Sequence, residues 1–390
     1  MFYSKADERI LFPSPVSGEL VEIVRGAKRK ILEIKILADK AQKYHDFGKK
    51  DASKMSSEEI KTHMLASGCW PFIKQRPYDI IANPDDTPKA IFISAYASAP
   101  LAADYEYVLQ DKQAELQAAI NALVKLTSGK VHVSVGSGTT SVFNTIKGIE
   151  LHQVSGPHPI GNVSTQIAKI DPINKTEKVW VVSPQDIVII GELMLTGKFN
   201  AKRTIALTGS QITNPDYITA YIGSQIGDVV AKKLKHDNTR IISGNVLTGA
   251  KVETDGYLGY YDNQITAIPE GDDYDLFGWL KPITNKISPT RALTFSWLFP
   301  NKKYDLDTNT NGEHRAFVVT GSYEEVFPLD IYPMQLLKAC IYKDLDEMEQ
   351  LGAYEIAPED FALTEFICVS KQPHQQIIRE GLDLMIEELG

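Results

Sequence analysis

In "ILEIKIL" (residues 31–37), Leu32, Ile34 and Ile36 alternate with Glu33 and Lys35. That period of two marks a strand with one buried face. The turn residues of "SPVSG" come before it, so the first segment, from "ILFPSPVSGEL" onward, predicts a short β-hairpin unit. Two or three strands bury too little surface to be stable by themselves. This unit therefore needs cover, from strands further upstream or from the rest of the chain. From Ala38 to Met64 the sequence turns polar and helix-like.

Strands and helices then alternate. "KAIFISAYA" predicts a buried strand, and "DYEYVLQDKQAELQAAINALVKLTSG" one long helix with Leu109, Leu116, Ile120 and Leu123 on a stripe and Gly129 as its C-cap. "VHVSV" and "VWVVS" read as further strands. A helix follows in which Ser183 can cap, Pro184 takes the first turn, Asp186 the third position, and Gly197 closes. Such alternation means a parallel sheet with helices on its faces. In "RTIALTGSQITNPDYITAYIGSQIGDVVAKKL" two short strands lead to one helix and on to "RIISGNVLTG", the order of a β-grasp-like module. After about residue 270 the pattern predicts helices to the end of the chain.

At 390 residues the chain is long enough for two to four domains. Hydrophobic content of 43% with 23% charged residues is that of a folded globular protein. The net charge of −9 argues against tracking nucleic-acid phosphates and against direct docking on an anionic leaflet. No apolar run reaches the roughly 18 residues of a membrane span. "MFYSKADERI" lacks the pattern of a signal peptide. Cys69, Cys340 and Cys368 are too few and too far apart for a disulfide framework. These features together predict a cytoplasmic protein.

"SGCWPFIKQRPYD" (residues 67–79) reads as neither helix nor strand, yet it gathers Trp70, Phe72 and Tyr78 with Lys74 and Arg76, braced by Pro71 and Pro77. Large aromatics after a turn commonly plug a core. The alternative is a rim for a flat, carbonyl-bearing ligand, with rings to stack and cations to donate. "VGSGTTS" (Val135 to Ser141) is a glycine-rich loop after a strand that lacks the lysine of a P-loop and the third glycine of a dinucleotide fingerprint; a tight turn accounts for it. "GPHPIGN" holds His158 between two prolines and predicts a rigid turn with an exposed histidine. The eight histidines, His45, His132 and His314 among them, show no i, i+4 or Cys spacing of a metal site. A lone cysteine cannot hold an iron–sulfur cluster. No catalytic or metal-ligating set emerges.

Six segments, "FPSPVSGELVEIVRGAKR", "GCWPFIKQRPY", "GPHPIGN", "RIISGNVLTG", "TNTNGEHRAFVVTGSYEEVFPLD" and "FICVSKQPHQQIIREGLD", occur in order along nearly the whole chain. Together they resemble the A subunit of the bacterial Na+-translocating NADH:quinone oxidoreductase (Na+-NQR). The layout is more distantly similar to the C subunit of the Rnf complex and to the flavin-bearing, NADH-oxidising subunit of respiratory complex I. The resemblance implies an α/β multidomain chain in four parts: a partial lipoyl/biotinyl-like hairpin over 1–38, a Rossmann-like α/β domain over 39–201, a β-grasp, SLBB-like module over 202–270, and a mainly helical ferredoxin-type domain without its cysteines over 271–390. It also implies an N-terminally shortened version of the family, since members begin with barrel strands ahead of the segment at Phe12.

The departures from those relatives point to lost cofactors. Where the complex I relative cradles flavin phosphate with glycines, Trp70 and Phe72 stand here, and bulk there blocks close backbone approach. "AYASAPLAAD" stands where relatives carry acidic residues that hold nucleotide, and "SKADER" where a biotinyl domain presents its lysine. "FICVSKQP" keeps the ferredoxin outline with Cys368 alone. The implied function is a cofactor-free peripheral subunit on the cytoplasmic side of the bacterial inner membrane. It would contribute to reduction of ubiquinone or menaquinone and dock on integral membrane subunits, chiefly the flavin-carrying, quinone-reducing one. Flavins and the iron–sulfur cluster would belong to sister subunits. Trp70, Phe72, Lys74, Arg76, Pro77, Tyr78 and His158 are the expected quinone- or partner-facing residues. The rival expectations are a free-standing flavin or nucleotide oxidoreductase using "VGSGTTS", and a small-ligand-binding SLBB module with no redox role.

Overall fold

The computed structural model describes residues 2–272, 276–281, 285–288, 296–319 and 321–389. The chain forms two compact units. One comprises Met1–Ser98, Asp104–Thr204 and Thr219–Ile222; the other comprises Ala99–Ala103, Ile205–Ile218 and Gly223–Gly390.

The first unit begins with two short strands, β1 (Phe2–Tyr3) and β2 (Leu11–Phe12), paired antiparallel. The predicted hairpin follows as β3 (Gly18–Arg25) and β4 (Ile31–Ala38). The strands form, but burial does not alternate along them: Leu20, Val21, Leu32 and Leu37 are 56%, 64%, 58% and 66% exposed, while Ile34, Lys35 and Ile36 are half-buried in a row. Helix α1 (Ser57–Ser67) starts in a capping box. Ser56 Oγ accepts from the Glu59 N–H, and the Glu59 carboxylate accepts from the Ser56 N–H at 2.7 Å.

The central sheet has six strands. It contains β5 (Ile73–Arg76), β6 (Ile80–Ile81), β7 (Ala90–Ser94), β8 (Lys130–Gly136), β9 (Glu150–Val154) and β10 (Val179–Val182), in the order β6-β5-β10-β7-β8-β9. β10, β7, β8 and β9 run parallel, and β5 runs antiparallel to β10. Read along the chain, β9-β8-β7-β10 is a 3-2-1-4 order, so the direction of winding reverses between β7 and β10.

The helices α2 (Tyr105–Leu109), α3 (Gln113–Leu123), α4 (Val163–Ile170) and α5 (Pro184–Thr196) complete this unit. On one face Ala90, Phe92 and Val179 pack with Val163 and Ile167 of α4 and with Ile173. α5 and α3 meet so closely that a Cβ on Gly191 would lie 1.8 Å from the Glu115 carbonyl oxygen. The single long helix expected over 104–129 is therefore two, with Lys112 outside helical geometry between them (φ −110°, ψ 20°). Gly129 is not its cap. It sits where a Cβ would come 1.9 Å from the Lys89 carbonyl oxygen, so that glycine serves the close approach of two chain segments.

A second sheet is built from β11 (Lys202–Thr208), β12 (Asp216–Tyr221), β13 (Thr239–Ser243), β14 (Ala250–Val252) and β15 (Gln264–Pro269), with the short α6 (Ile226–Val230) between β12 and β13. Its order is β12-β11-β15-β13-β14. The first and last strands, β11 and β15, are parallel neighbours at its centre. The helices expected from residue 270 begin only at Pro333; among the described residues between them there are short 3-10 turns and no α-helix. Asn, Asp and Thr dominate "DLDTNTNG" there, and such side chains bond nearby backbone in place of helical partners. The tail is helical: α7 (Pro333–Tyr342), α8 (Leu345–Gln350), α9 (Ala362–Ile367) and α10 (His374–Leu389). Ile378, Leu382 and Met385 give α10 its buried stripe, and a Cβ on Gly381 would meet Cys340 Sγ at 2.6 Å.

Candidate functional site

The aromatic segment is more regular than its sequence suggests. Residues Trp70–Phe72 form a 3-10 turn and Ile73–Arg76 form β5, an interior strand of the sheet. Prolines 71 and 77 bound the strand and do not interrupt it. Trp70 is fully buried, its Nε1–H donates to the Ala82 carbonyl at 2.7 Å, and its ring meets Trp180 edge-on at 5.4 Å. Phe72 is buried too, stacked on Phe199 at 6.0 Å with the Arg203 guanidinium 5.5 Å from its ring centre. These faces are used inside the protein, so the expectation of a stacking rim does not describe Trp70 or Phe72.

Beside Phe72 lies a pair that sequence patterning did not bring together. Asp186 takes the expected third position of α5, and from there it forms an ion pair with Arg203, both buried. Burial pushes the Asp186 carboxyl up, while Arg203 and Lys74 pull it down. Ser183 makes no side-chain cap bond. Cys69 is fully enclosed nearby, and burial raises its thiol to about 12.

The antiparallel register splits the expected site residues in two. Ile73 pairs with Val182 at the carboxyl end of β10, and Arg76 pairs with Val179 at its amino end. Arg76, Pro77 and Tyr78 therefore lie at the opposite end of the sheet from the loops that follow β7, β8 and β9. There Arg76 and Pro77 are buried and Tyr78 half-buried, while Lys74, also half-buried, sits opposite Val181. Asp79 holds both cations, at 3.2 Å from Arg76 Nη1 and 3.9 Å from Lys74 Nζ. Tyr78 and Asp79 turn the chain with φ of 81° and 52°, a left-handed pair suited to a tight hairpin.

His158 belongs to the carboxyl end, where ligands of wound α/β sheets bind. It is half-buried, not exposed as expected. The turn "GPHPIGN" folds onto the segment that leaves β7. Gly161 N–H donates to Ser98 Oγ at 2.8 Å, and Ser98 Oγ and His158 Nδ1 are hydrogen-bonded at 3.0 Å. Ser94 Oγ–H donates to the Gly161 carbonyl at 2.8 Å, and Gln166 Nε2 donates to Ser94 Oγ at 2.8 Å and to the Ile160 carbonyl at 3.1 Å. A Cβ at 161 would come 2.6 Å from the Tyr96 carbonyl oxygen. The chain's own turn is thus tied to the end of β7 and the segment that leaves it. Burial lowers the His158 imidazole below the usual histidine range.

The glycine loop after β8 is an exposed turn. Thr139 Oγ–H donates back to the Gly136 carbonyl at 2.8 Å, and Gly138 has a φ of 77°. A four-residue 3-10 turn, Val142–Thr145, comes next, so no α-helix dipole points at the loop. Cys340 and Cys368 are buried; Cys368 Sγ and the Tyr323 hydroxyl lie 2.9 Å apart. No cysteine belongs to a three-ligand group among the described residues. His132, which showed no ligand spacing in sequence, does have a partner: its Nδ1 lies 2.9 Å from His152 Nε2, across β8 and β9. No sequence window of i, i+4 width contains both.

No helix among the described residues is long and apolar enough to cross a membrane. Three family models match the chain: the NqrA N-terminal barrel-sandwich hybrid domain over residues 1–39, the NqrA second alpha/beta domain over 55–199, and the NQRA C-terminal domain over 204–254. The chain is 34% identical over 391 aligned positions to the A subunit of the Na(+)-translocating NADH-quinone reductase of Yersinia pestis, covering 100% of this chain and 87% of that protein. The corresponding protein of Neisseria meningitidis serogroup A is 35% identical with the same coverage, 100% and 87%. Among solved structures, an NAD+-reducing NiFe hydrogenase in its air-oxidized state aligns over 56% of this chain and 50% of that one, at 10% identity and a TM-score of 0.40. A likeness that low carries no argument here.

Proposed function

Because the chain belongs to the NqrA family, the A subunits of Na+-translocating NADH-quinone reductases, we propose that it is a peripheral component of such a pump and holds no prosthetic group of its own. In this reading the complex oxidises NADH, reduces quinone and exports sodium. Flavins and the iron–sulfur cluster reside in sister subunits, and this chain docks on the integral, quinone-reducing one at the cytoplasmic face of the bacterial inner membrane. With a net charge of −9, attraction to an anionic leaflet cannot hold it there, so protein contacts must.

One observation carries the reading. The "GPHPIGN" turn sits on the carboxyl end of β7, stitched down through Ser94, Ser98 and Gln166, where a wound sheet otherwise leaves a crevice for a nucleotide. A flavin phosphate needs close backbone approach, and in this reading the turn takes that place. In the same reading the sheet centred on β11 and β15 is an SLBB-like β-grasp module, and α7 to α10 are a ferredoxin-type helical domain without cluster cysteines. Half-buried Lys74 and Tyr78, beside the hairpin turn after β5, are the residues proposed to face the quinone or the membrane-embedded partner, with buried Arg76 and Pro77 bracing that turn. Trp70 and Phe72 support them from within.

Detergent extraction of host membranes containing a tagged copy tests this. The tag should recover integral membrane proteins together with NADH:quinone reductase activity. Recovery of the chain alone, with undiminished membrane activity after its gene is deleted, would overturn it.

A further inference from the structure

The parallel pairing of β8 with β9 sets His132 opposite Glu150. Side chains two apart along a strand share a face, so Lys130, His132, Glu150 and His152 lie on the same side of the sheet. β9 is the edge strand, which leaves this cluster at the margin of the core. His132 is buried, stacked 4.8 Å from Phe92, while Glu150 and His152 are half-buried. His132 Nδ1 lies 2.9 Å from His152 Nε2 and 3.4 Å from Glu150 Oε2, and one ligand atom from each residue falls within 4.8 Å of the others.

From this geometry we propose that His132 Nδ1, His152 Nε2 and Glu150 Oε2 form a binding site for a divalent borderline metal ion such as Zn2+, with a fourth position open outward. Zinc bonds to nitrogen and oxygen run about 2.0–2.2 Å, and at the tetrahedral angle they place neighbouring ligand atoms roughly 3.3–3.5 Å apart. The separation of His132 from Glu150 already meets that. The two imidazoles need to spread by only a few tenths of an ångström.

In the metal-free cluster one imidazole must donate to the other. On metal binding the donor moves that proton to its other ring nitrogen, and both coordinating nitrogens become lone-pair donors. Burial, and next the neighbouring His152, keep His132 below the ordinary histidine range and so neutral at pH 7, the form a metal requires. Charged neighbours act on the cluster in both directions. Glu150 and Asp171 favour a cation, while Lys130 opposes one and, bound to Glu150, competes for its carboxylate. Two imidazoles with one carboxylate match zinc, copper or nickel better than magnesium or calcium, which prefer all-oxygen sets. Occupancy would pin the edge strand that leads into the "GPHPIGN" turn. This inference stands apart from the functional proposal above.

Calorimetric titration of the purified full chain with Zn2+ provides the test. The site predicts one saturable event per chain and a rise in unfolding temperature. Co2+ should give a tetrahedral visible band. His152→Ala weakens binding by roughly tenfold or more and abolishes the band, and Glu150→Gln weakens it less. Lys130→Met removes the competitor and tightens binding, a gain that no folding defect could mimic. His314→Ala leaves it unchanged. Absence of saturable binding by the wild type would overturn the proposal. So would binding of unaltered strength in a folded His152→Ala chain, or weakened binding in Lys130→Met.

Discussion

His158 Nδ1 stands 3.0 Å from the Ser98 hydroxyl, and that bond ties the turn after β9 to the segment leaving β7. The same oxygen accepts the Gly161 N–H, so Ser98 holds two groups of the turn at once. Two substitutions report on this latch. Gly161→Ala forces a methyl against the Tyr96 carbonyl and should cost about 1–3 kcal/mol. Ser98→Ala removes a partly buried partner of two groups and should cost about 1–3 kcal/mol. Urea unfolding followed by circular dichroism measures both.

Trp70 is a core residue whose loss empties a large volume between Trp180 and Ala82. Trp70→Ala is expected to destabilise by about 3–5 kcal/mol. Lys74→Ala, at a half-exposed position, should change stability by no more than about 0.5 kcal/mol. Should both substitutions weaken assembly with the membrane-embedded partner, the Trp70→Phe chain separates the causes. It refills most of the volume and should restore assembly, whereas a Lys74 effect through direct contact would persist at full stability.

Asp186 and Arg203 form a buried pair, and breaking it from one side strands a charge. Asp186→Ala should cost about 3–5 kcal/mol. The double change Asp186→Leu, Arg203→Met should recover most of that, because no ion is then left in the core. A double-mutant cycle on unfolding free energies checks the coupling.

Glu270 carries the clearest acid sensitivity. Hydrogen bonds from the Arg240 guanidinium and then from Thr308 lower its carboxyl from 4.5 to about 2. A carboxylate depressed in the folded state adds stability above its unfolded value and loses it as the pH falls. Between about pH 4.5 and pH 2 the unfolding temperature should therefore drop, and Glu270→Gln should flatten that part of the profile.

Much of the central sheet was legible in the sequence, because buried parallel strands such as "KAIFIS" and "VHVSV" are short apolar runs separated by helical periods. The helix at Pro184–Thr196 was legible from Pro184 and Gly197, which act through backbone alone. Residues 73–76 were not legible as a strand, since Lys74, Gln75 and Arg76 disguise a strand that is largely buried. There, tertiary pairing with β10 outweighed composition. Nor could spacing show His132 beside His152, which requires knowing that β8 and β9 are parallel neighbours. His158 was singled out for its flanking prolines, but its tether to Ser98 depends on the loops after β7 and β9 meeting. The family resemblance covered the whole chain and did not supply these contacts.

In the proposed reading, the turn tied to Ser94 and Ser98 takes the place of a flavin. The most direct measurement is the visible absorption spectrum of the purified full chain, taken before and after incubation with excess flavin mononucleotide and gel filtration. No flavin or iron–sulfur band is expected in either state. A yellow or brown protein retaining one pigment per chain would contradict the proposed cofactor-free reading.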